Sequence, residues 1–383
     1  MRKKILLTIL LFISFIALFF IGIKHIKADS DETVNVTITE DELFSDYYDK
    51  ADKLMEKMTI EEKVSQMFYA RYPSAKKANE EIKKYNPGGY ILFAKDFKGK
   101  TKKSMKKQLS KNQKTAKINM FLGVDEEGGT VVRVSRYKAF RKSKFKSPQE
   151  LWKKGYLNKI IKDSKEKSQL LKSIGLNMNF APVVDVPTKK KSFIYKRSYG
   201  RGATKTAIYT EKIVQRMNKD KMISTLKHFP GYGDNKDTHT GVAIDKRSYK
   251  TLKSKDLKPF ISGIKAGAPF VLVSHNIVKC IDKSKPASLS KKVHNVLRKD
   301  LKFSGLIITD DLAMKAISKY TKTKSSAVDA VLAGNDMLIS SSFKKQRKEV
   351  INAVKNGTIS EERINESVRR ILACKYAYGI IKW

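Results

Sequence analysis

The sequence predicts an α/β protein, a single (β/α)8 TIM-type barrel behind an N-terminal apolar leader, and three observations carry that prediction. Short apolar runs rich in β-branched and aromatic residues recur about eight times between residues 64 and 339. Lys-rich segments with helical spacing separate them, and strand-helix alternation of this kind makes a parallel sheet. Chemistry-bearing residues follow several of the runs, where a closed parallel barrel places its site. A doubly wound open sheet is the other architecture this alternation allows.

The elements follow in order. Arg2-Lys3-Lys4 precedes an apolar run from Ile5 to Ile23, which approaches the ~20 residues that span a bilayer. Residues 1–28 therefore fit a cleaved signal peptide and an uncleaved anchor equally, and either predicts an exported, envelope or extracellular body. With no Cys near this run, a lipid-modified N-terminal Cys is excluded. Residues 29–45, acidic and Thr-rich, read as a tether, and 46–383 as the barrel. Ala51, Leu54, Met55 and Met58 have helical spacing, and Thr59-Ile60-Glu61-Glu62 has the form of a capping box that starts a second helix. Strands are expected at 64–70, 89–93, 119–124, 177–184, 222–227, 270–274, 306–309 and 336–339. Helices are expected over 104–116 and 149–174, among others.

Lys and Arg number 80 against 38 Asp and Glu, a net charge of +42. Such a field favours anionic partners, here an anionic cell-envelope polymer. The lysines are spread along the whole chain without interleaved aromatics, which excludes a sequence-reading nucleic-acid site. Two cysteines, Cys280 and Cys374, exclude a disulfide framework and a multi-Cys metal site, and are expected as unpaired thiols. A monomer is expected.

The stretch 225–241 holds the densest chemistry. An apolar run ends in Lys227-His228, then Pro230, Gly231 and Gly233 open a loop that closes on Asp237-Thr238-His239. In extended chain, residues two apart share a side, so Asp237 can orient His239 and leave its second nitrogen for proton transfer. A lone Asp-x-His would read as a polar surface loop; strand, Lys-His and Gly-rich loop together read as a catalytic one. Asp125, Asp185, Ser274-His275-Asn276 and Asp310-Asp311 follow other runs. Alternation along a strand keeps Asp310 and Asp311 from facing one site together.

Several blocks, in order, resemble the β-N-acetylglucosaminidase (β-hexosaminidase) branch of glycoside hydrolase family 3. They are Met58–Val64, Val124-Asp125-Glu126-Glu127-Gly128-Gly129 with Val131 and Arg133, Phe180–Val186, and Arg197–Gly200. The Lys-His-Phe-Pro-Gly loop with Asp-Thr-His, Ile308–Met314 and Ala333–Leu338 complete the set. The resemblance covers residues 55–378 and implies a retaining exo-β-N-acetylglucosaminidase acting on peptidoglycan fragments. It implies Asp310 as nucleophile, His239 as acid and then base, and Asp237 as its orienting partner. It also implies Asp125, Arg133, Arg197, Lys227 and His228 as the sugar-binding set, with no metal and no cofactor. Asp311, Asp185 and His275 are expected to be supporting residues. Tyr232 departs from the family pattern, where a second His is common. Branches that take their acid/base from a second domain are not matched, since no such domain is expected here.

Within the same family, β-glucosidase, β-xylosidase and glycoside phosphorylase remain alternatives. Two readings of other classes stand beside them. His228, Asp234, Asp237 and His239 could serve a metal-dependent hydrolase, although three of the four lie on one loop. A non-catalytic, basic envelope-binding protein on a barrel scaffold is the second.

Overall fold

The computed structural model describes residues 42–235, 241, 243–313, 317, 320, 321, 323 and 325–382. The leader therefore lies outside the described residues, as do Asp237 and His239. All described residues belong to one compact unit, Glu40–Trp383. Among them no helix is long and apolar enough to cross a membrane.

The fold is α/β with parallel sheets. Among the described residues the strands are β1 (Phe68–Arg71), β2 (Gly89–Leu92), β3 (Phe121–Val124), β4 (Met178–Asn179), β5 (Thr225–Phe229), β6 (Ile244–Asp245), β7 (Phe270–Val273), β8 (Ile277–Val278), β9 (Leu306–Thr309) and β10 (Leu338–Ser340). One sheet runs β10-β1-β2-β3-β4 and a second β5-β7-β9, every pair parallel. Single parallel bridges, Met178 to Ile223 and Ile308 to Met337, join the two sheets at both edges. β6 and β8 form a separate parallel pair. Strands β1–β3, β7, β9 and β10 are almost entirely buried and mostly apolar, as expected where helices cover a parallel sheet, while β5, equally buried, carries Thr225, Lys227 and His228. Tyr69, Phe121, Phe180 and Phe270 meet at ring centroid separations of 5.2–6.5 Å. At such distances aromatic pairs add to the burial of their surface.

Several expectations shift. The capping box forms: Glu62 N donates to Thr59 Oγ1 at 3.2 Å and Thr59 N to Glu62 Oε2 at 2.9 Å. The helix it starts runs Ile60–Gln66, so residues 64–66, expected as strand, are helical and β1 begins at Phe68. The expected 149–174 helix is two, Pro148–Trp152 and Tyr156–Ser173. They part at Gly155, whose φ of +148° no helix accepts. The 177–184 run pairs as β4 only at Met178–Asn179 and rejoins β5 through a Val183–Lys227 bridge. β6 and β8, two residues each, carry too little pattern to be seen in sequence. Leu43 and Phe44, read as tether, belong to the body: Phe44 is buried and Leu43 N donates to Ser304 Oγ. Cys280 and Cys374 are free thiols, the first exposed and the second buried.

Candidate active site

The acidic run after β3 is built by its own hydrogen bonds. Asn179, at the end of β4, accepts from Glu126 N at 2.9 Å and donates through Nδ2 to Glu126 O at 3.1 Å. The buried Glu126 carboxylate then accepts from the backbone N of Arg133, Val134 and Ser135, and from the Ser135 hydroxyl. This folds 126–135 into a tight loop and brings Arg133 back beside Asp125. Gly128 allows the turn: at φ +100°, a Cβ there would lie 2.2 Å from Lys146 O.

β5 supplies two neighbouring side chains. Its pairing with β7 skips a residue between Lys227 and Phe229, and a bulge of this kind re-aims side chains. Lys227 and His228 consequently both line one cavity of about 390 Å³, together with Asp125, Arg133, Arg197, Asp310 and Asp311. Ile91, Phe93, Val131, Phe180, Leu272 and Ile339 form its apolar walls. The volume falls within the ~300–1,000 Å³ of small-molecule sites.

The polar wall is one network. Lys227 Nζ, buried, lies 2.7 Å from Asp125 Oδ1 and 2.6 Å from Glu127 Oε1. Arg197 forks onto Glu127, Nε to Oε2 at 2.9 Å and Nη2 to Oε1 at 2.8 Å. Burial acts to raise the Glu127 pKa, but the Arg197 and Lys227 charges outweigh it and hold the carboxyl well below its usual range. Burial opposes the Arg197 charge in turn, and Glu127 more than restores it. Arg197 Nη2 also lies 3.3 Å from His228 Nε2, while His228 Nδ1 meets Asp185 Oδ2 at 2.8 Å. Asp185 accepts as well from the backbone N of His228 and Tyr232, tying the end of β5 to the loop that follows. Arg133 Nη2 reaches Asp125 Oδ2 at 3.5 Å.

Asp310 and Asp311 follow β9. Asp310 is half-buried and its Oδ1 accepts from Asp311 N at 2.8 Å. Asp311 also reaches the cavity, but its carboxylate is held by Ala313 N, Ser341 N and the Ser341 hydroxyl. Buried His275 bonds to Ser288 Oγ and to the Asp311 carbonyl, bracing the same turn from behind.

The structure thus brings together six of the eight residues singled out by sequence: Asp125, Arg133, Arg197, Lys227, His228 and Asp310. The other two, Asp237 and His239, lie outside the described residues. Of the hypothetical metal set, His228 is engaged by Asp185 and Arg197. Asp234 is engaged by Thr188, Lys189 and Ser192. Among the described residues no group of three or more His, Cys, Asp or Glu could hold a metal ion. Tyr232 is buried, edge-on to His228 at 5.0 Å and to Phe193 at 4.9 Å. Glu127, part of the Val124–Gly129 block, carries no expected role from sequence. Its signal was two further carboxylates after Asp125, more than one solvated turn requires.

Fold and site define a parallel α/β protein with a charged, ligand-sized cavity at the carboxyl ends of its strands. Residues 59–374 match the glycosyl hydrolase family 3 N terminal domain, and the chain belongs to that family. It is 27% identical over 325 residues to beta-hexosaminidase A of Pseudoalteromonas piscicida, covering 78% of this chain and 54% of that protein. It is 29% identical over 267 residues to a beta-hexosaminidase of Nitrosomonas eutropha, covering 66% and 73%. A family 3 beta-N-acetylglucosaminidase structure from Paenibacillus sp. str. FPU-7 superposes with a TM-score of 0.79 at 29% identity, covering 84% of this chain and 63% of that one. The chain therefore spans about half the length of the first relative and under two thirds of that structure.

Proposed function

We propose that this protein is a retaining exo-β-N-acetylglucosaminidase, removing terminal β-linked N-acetylglucosamine from peptidoglycan-derived fragments. The observation that supports it most is the convergence of Asp310, from the end of β9, with Asp125, Lys227, His228, Arg133 and Arg197 on one cavity. The names of the relatives support the sugar. The same reading takes the eight strands β1–β5, β7, β9 and β10 as a closed (β/α)8 barrel, supported by the two bridges that join the sheets.

In this reading Asp125, Lys227, His228, Arg133 and Arg197 bind the sugar hydroxyls through charge-assisted hydrogen bonds. Asp310 attacks the anomeric carbon: its Oδ–C1 bond forms as the C1–O bond to the leaving group breaks. His239, oriented by Asp237, gives its proton to the departing oxygen. It then takes one from the water that releases the sugar from Asp310. Residues 1–28 export or anchor the body, which acts as a monomer at the cell envelope, where its +42 charge holds it to anionic polymer. Side-by-side turnover of p-nitrophenyl glycosides of N-acetylglucosamine, glucose and xylose tests the reading. A clear preference for the first is expected, and equal or faster turnover of the glucoside would overturn it.

A further inference from the structure

Beside the active-site cavity, and separated from it by a thin wall, lies a lysine-lined groove. The wall is the turn bridged between Gly128 and Val131, together with residues 196–197. Val131 and Arg197 face the cavity, while Thr130 and Lys196 line the groove. The groove encloses about 560 Å³ and carries Lys144, Lys146, Lys153 and Lys196. A second recess of about 300 Å³ continues from it, sharing Lys144 and Lys146 and adding Lys154, Lys159 and Lys162.

The carboxylates among these lysines are already engaged by other groups. Glu150 accepts from Ser147 N and Oγ at 2.8 Å each, Asp163 pairs with Lys167 at 2.7 Å, and Glu166 with Arg141 at 2.8 Å. Among the described residues none of the seven lysines forms an ion pair, and all seven are exposed. Lys146, in contact with Lys154, holds that ammonium below its usual range by contact and by repulsion. A concave surface with uncompensated charge of one sign concentrates counter-ions far more than the same charge on a convex one.

We propose that this groove is a binding site for a linear polymer bearing repeated phosphate charges, seated alongside the active-site cavity. Phosphate fits because each lysine can meet one phosphate group as a point charge. Several ammonium groups in adjoining recesses suit a chain of charges better than one anion. A polymer seated there would hold the cavity against the envelope material that carries it. This inference goes beyond the glycosidase reading and does not depend on it.

The test measures binding of short-chain inorganic polyphosphate to the full chain, with no glycoside present, over a range of salt. Lys144→Ala/Lys146→Ala/Lys154→Ala is compared with Lys102→Ala/Lys103→Ala/Lys106→Ala, which removes equal charge from an exposed helix face. The groove variant is expected to lose affinity about fivefold per lysine and to show a shallower salt slope. The control variant should lose about twofold or less in total. Equal losses in the two variants would overturn the proposal, since the charge would then act as a diffuse field. Poly-glutamate binding as tightly as polyphosphate, with the same losses, would overturn the assignment to phosphate. The single change Lys146→Glu, at an exposed side chain, gives the same readout should the triple variant fail to fold.

Discussion

Of the three lysines buried among the described residues, Lys227 and Lys375 meet opposite fates. Lys227, near the carboxyl end of β5, lies between the Asp125 and Glu127 carboxylates. Lys375, on the last helix (Glu361–Ala377), sits at the other end of the strands, with its ammonium 2.6 Å from Gln66 Oε1 and 5.1 Å from the Phe121 ring. No carboxylate pairs with it among the described residues, and burial pushes its pKa down to about 7. Removing an ammonium from water costs several kcal/mol whichever end it occupies. At the cavity end that cost is offset by carboxylates, which leaves a set of fixed charges ready for a polar ligand. At the opposite end it is met by holding the proton less tightly. Burial alone does not mark a functional lysine; its partners do.

The largest effect expected at the cavity end is chemical. Asp310→Ala should lower kcat on every glycoside by on the order of 10⁶-fold, the scale seen when a covalent nucleophile is removed, with the melting temperature little changed. Retained turnover would remove Asp310 from the mechanism. His239→Ala should cost ~10²–10⁴-fold on a poor leaving group and much less on an activated phenolate, with added azide restoring rate. Equal losses on both substrates would assign His239 to structure.

Next in size, Lys227→Met leaves Asp125 without its ammonium and Glu127 with Arg197 alone, and should cost about 3–5 kcal/mol in denaturant unfolding. Adding Glu127→Gln to that variant should recover part of the loss. If Lys227→Met is neutral, the contrast between the two lysines fails. Lys375 gives the smallest effect per pH unit, and it is confined to one pH window. Because its folded pKa of about 7 lies below the unfolded value of 10.5, the unfolded chain holds the extra proton between those pH values. Stability should therefore rise between pH 7 and 10.5, by at most about 1.4 kcal/mol per pH unit, and this term should be flat below 7. Lys375→Met should remove that slope in melts recorded across the window while leaving kcat intact.

Much of the architecture was legible because buried parallel strands read as continuous apolar runs, as at 306–309 and 270–273, where expected and observed bounds nearly coincide. The errors have local causes. Val64 is apolar but sits on a helix that starts at the Thr59–Glu62 box and runs through to Gln66. Phe44 was read as tether because its contacts come from residues far along the chain. At the site, residue type at a strand end located Asp125, Lys227, His228 and Asp310. It could not show that His228 leans on Asp185, nor that Glu127 joins Arg197 to Lys227, because those pairs are separated by 43, 70 and 100 positions or so in sequence.

The acidic triplet after β3 has a consequence for anyone randomising this gene. Asp125, Glu126 and Glu127 look like one interchangeable negative patch, yet each answers to different neighbours: a cavity, three backbone amides, and a guanidinium–ammonium pair. A saturation library over the three codons should return three separate selection profiles. Loss at Glu126 should appear as poor expression, because three backbone amides of the loop lose the carboxylate that accepts from them. Loss at Asp125 should appear as weakened substrate capture in well-expressed protein. Glu127 should score on both axes, and even its exchange for Asp should be selected against, since one methylene fewer draws the carboxylate back from both cations.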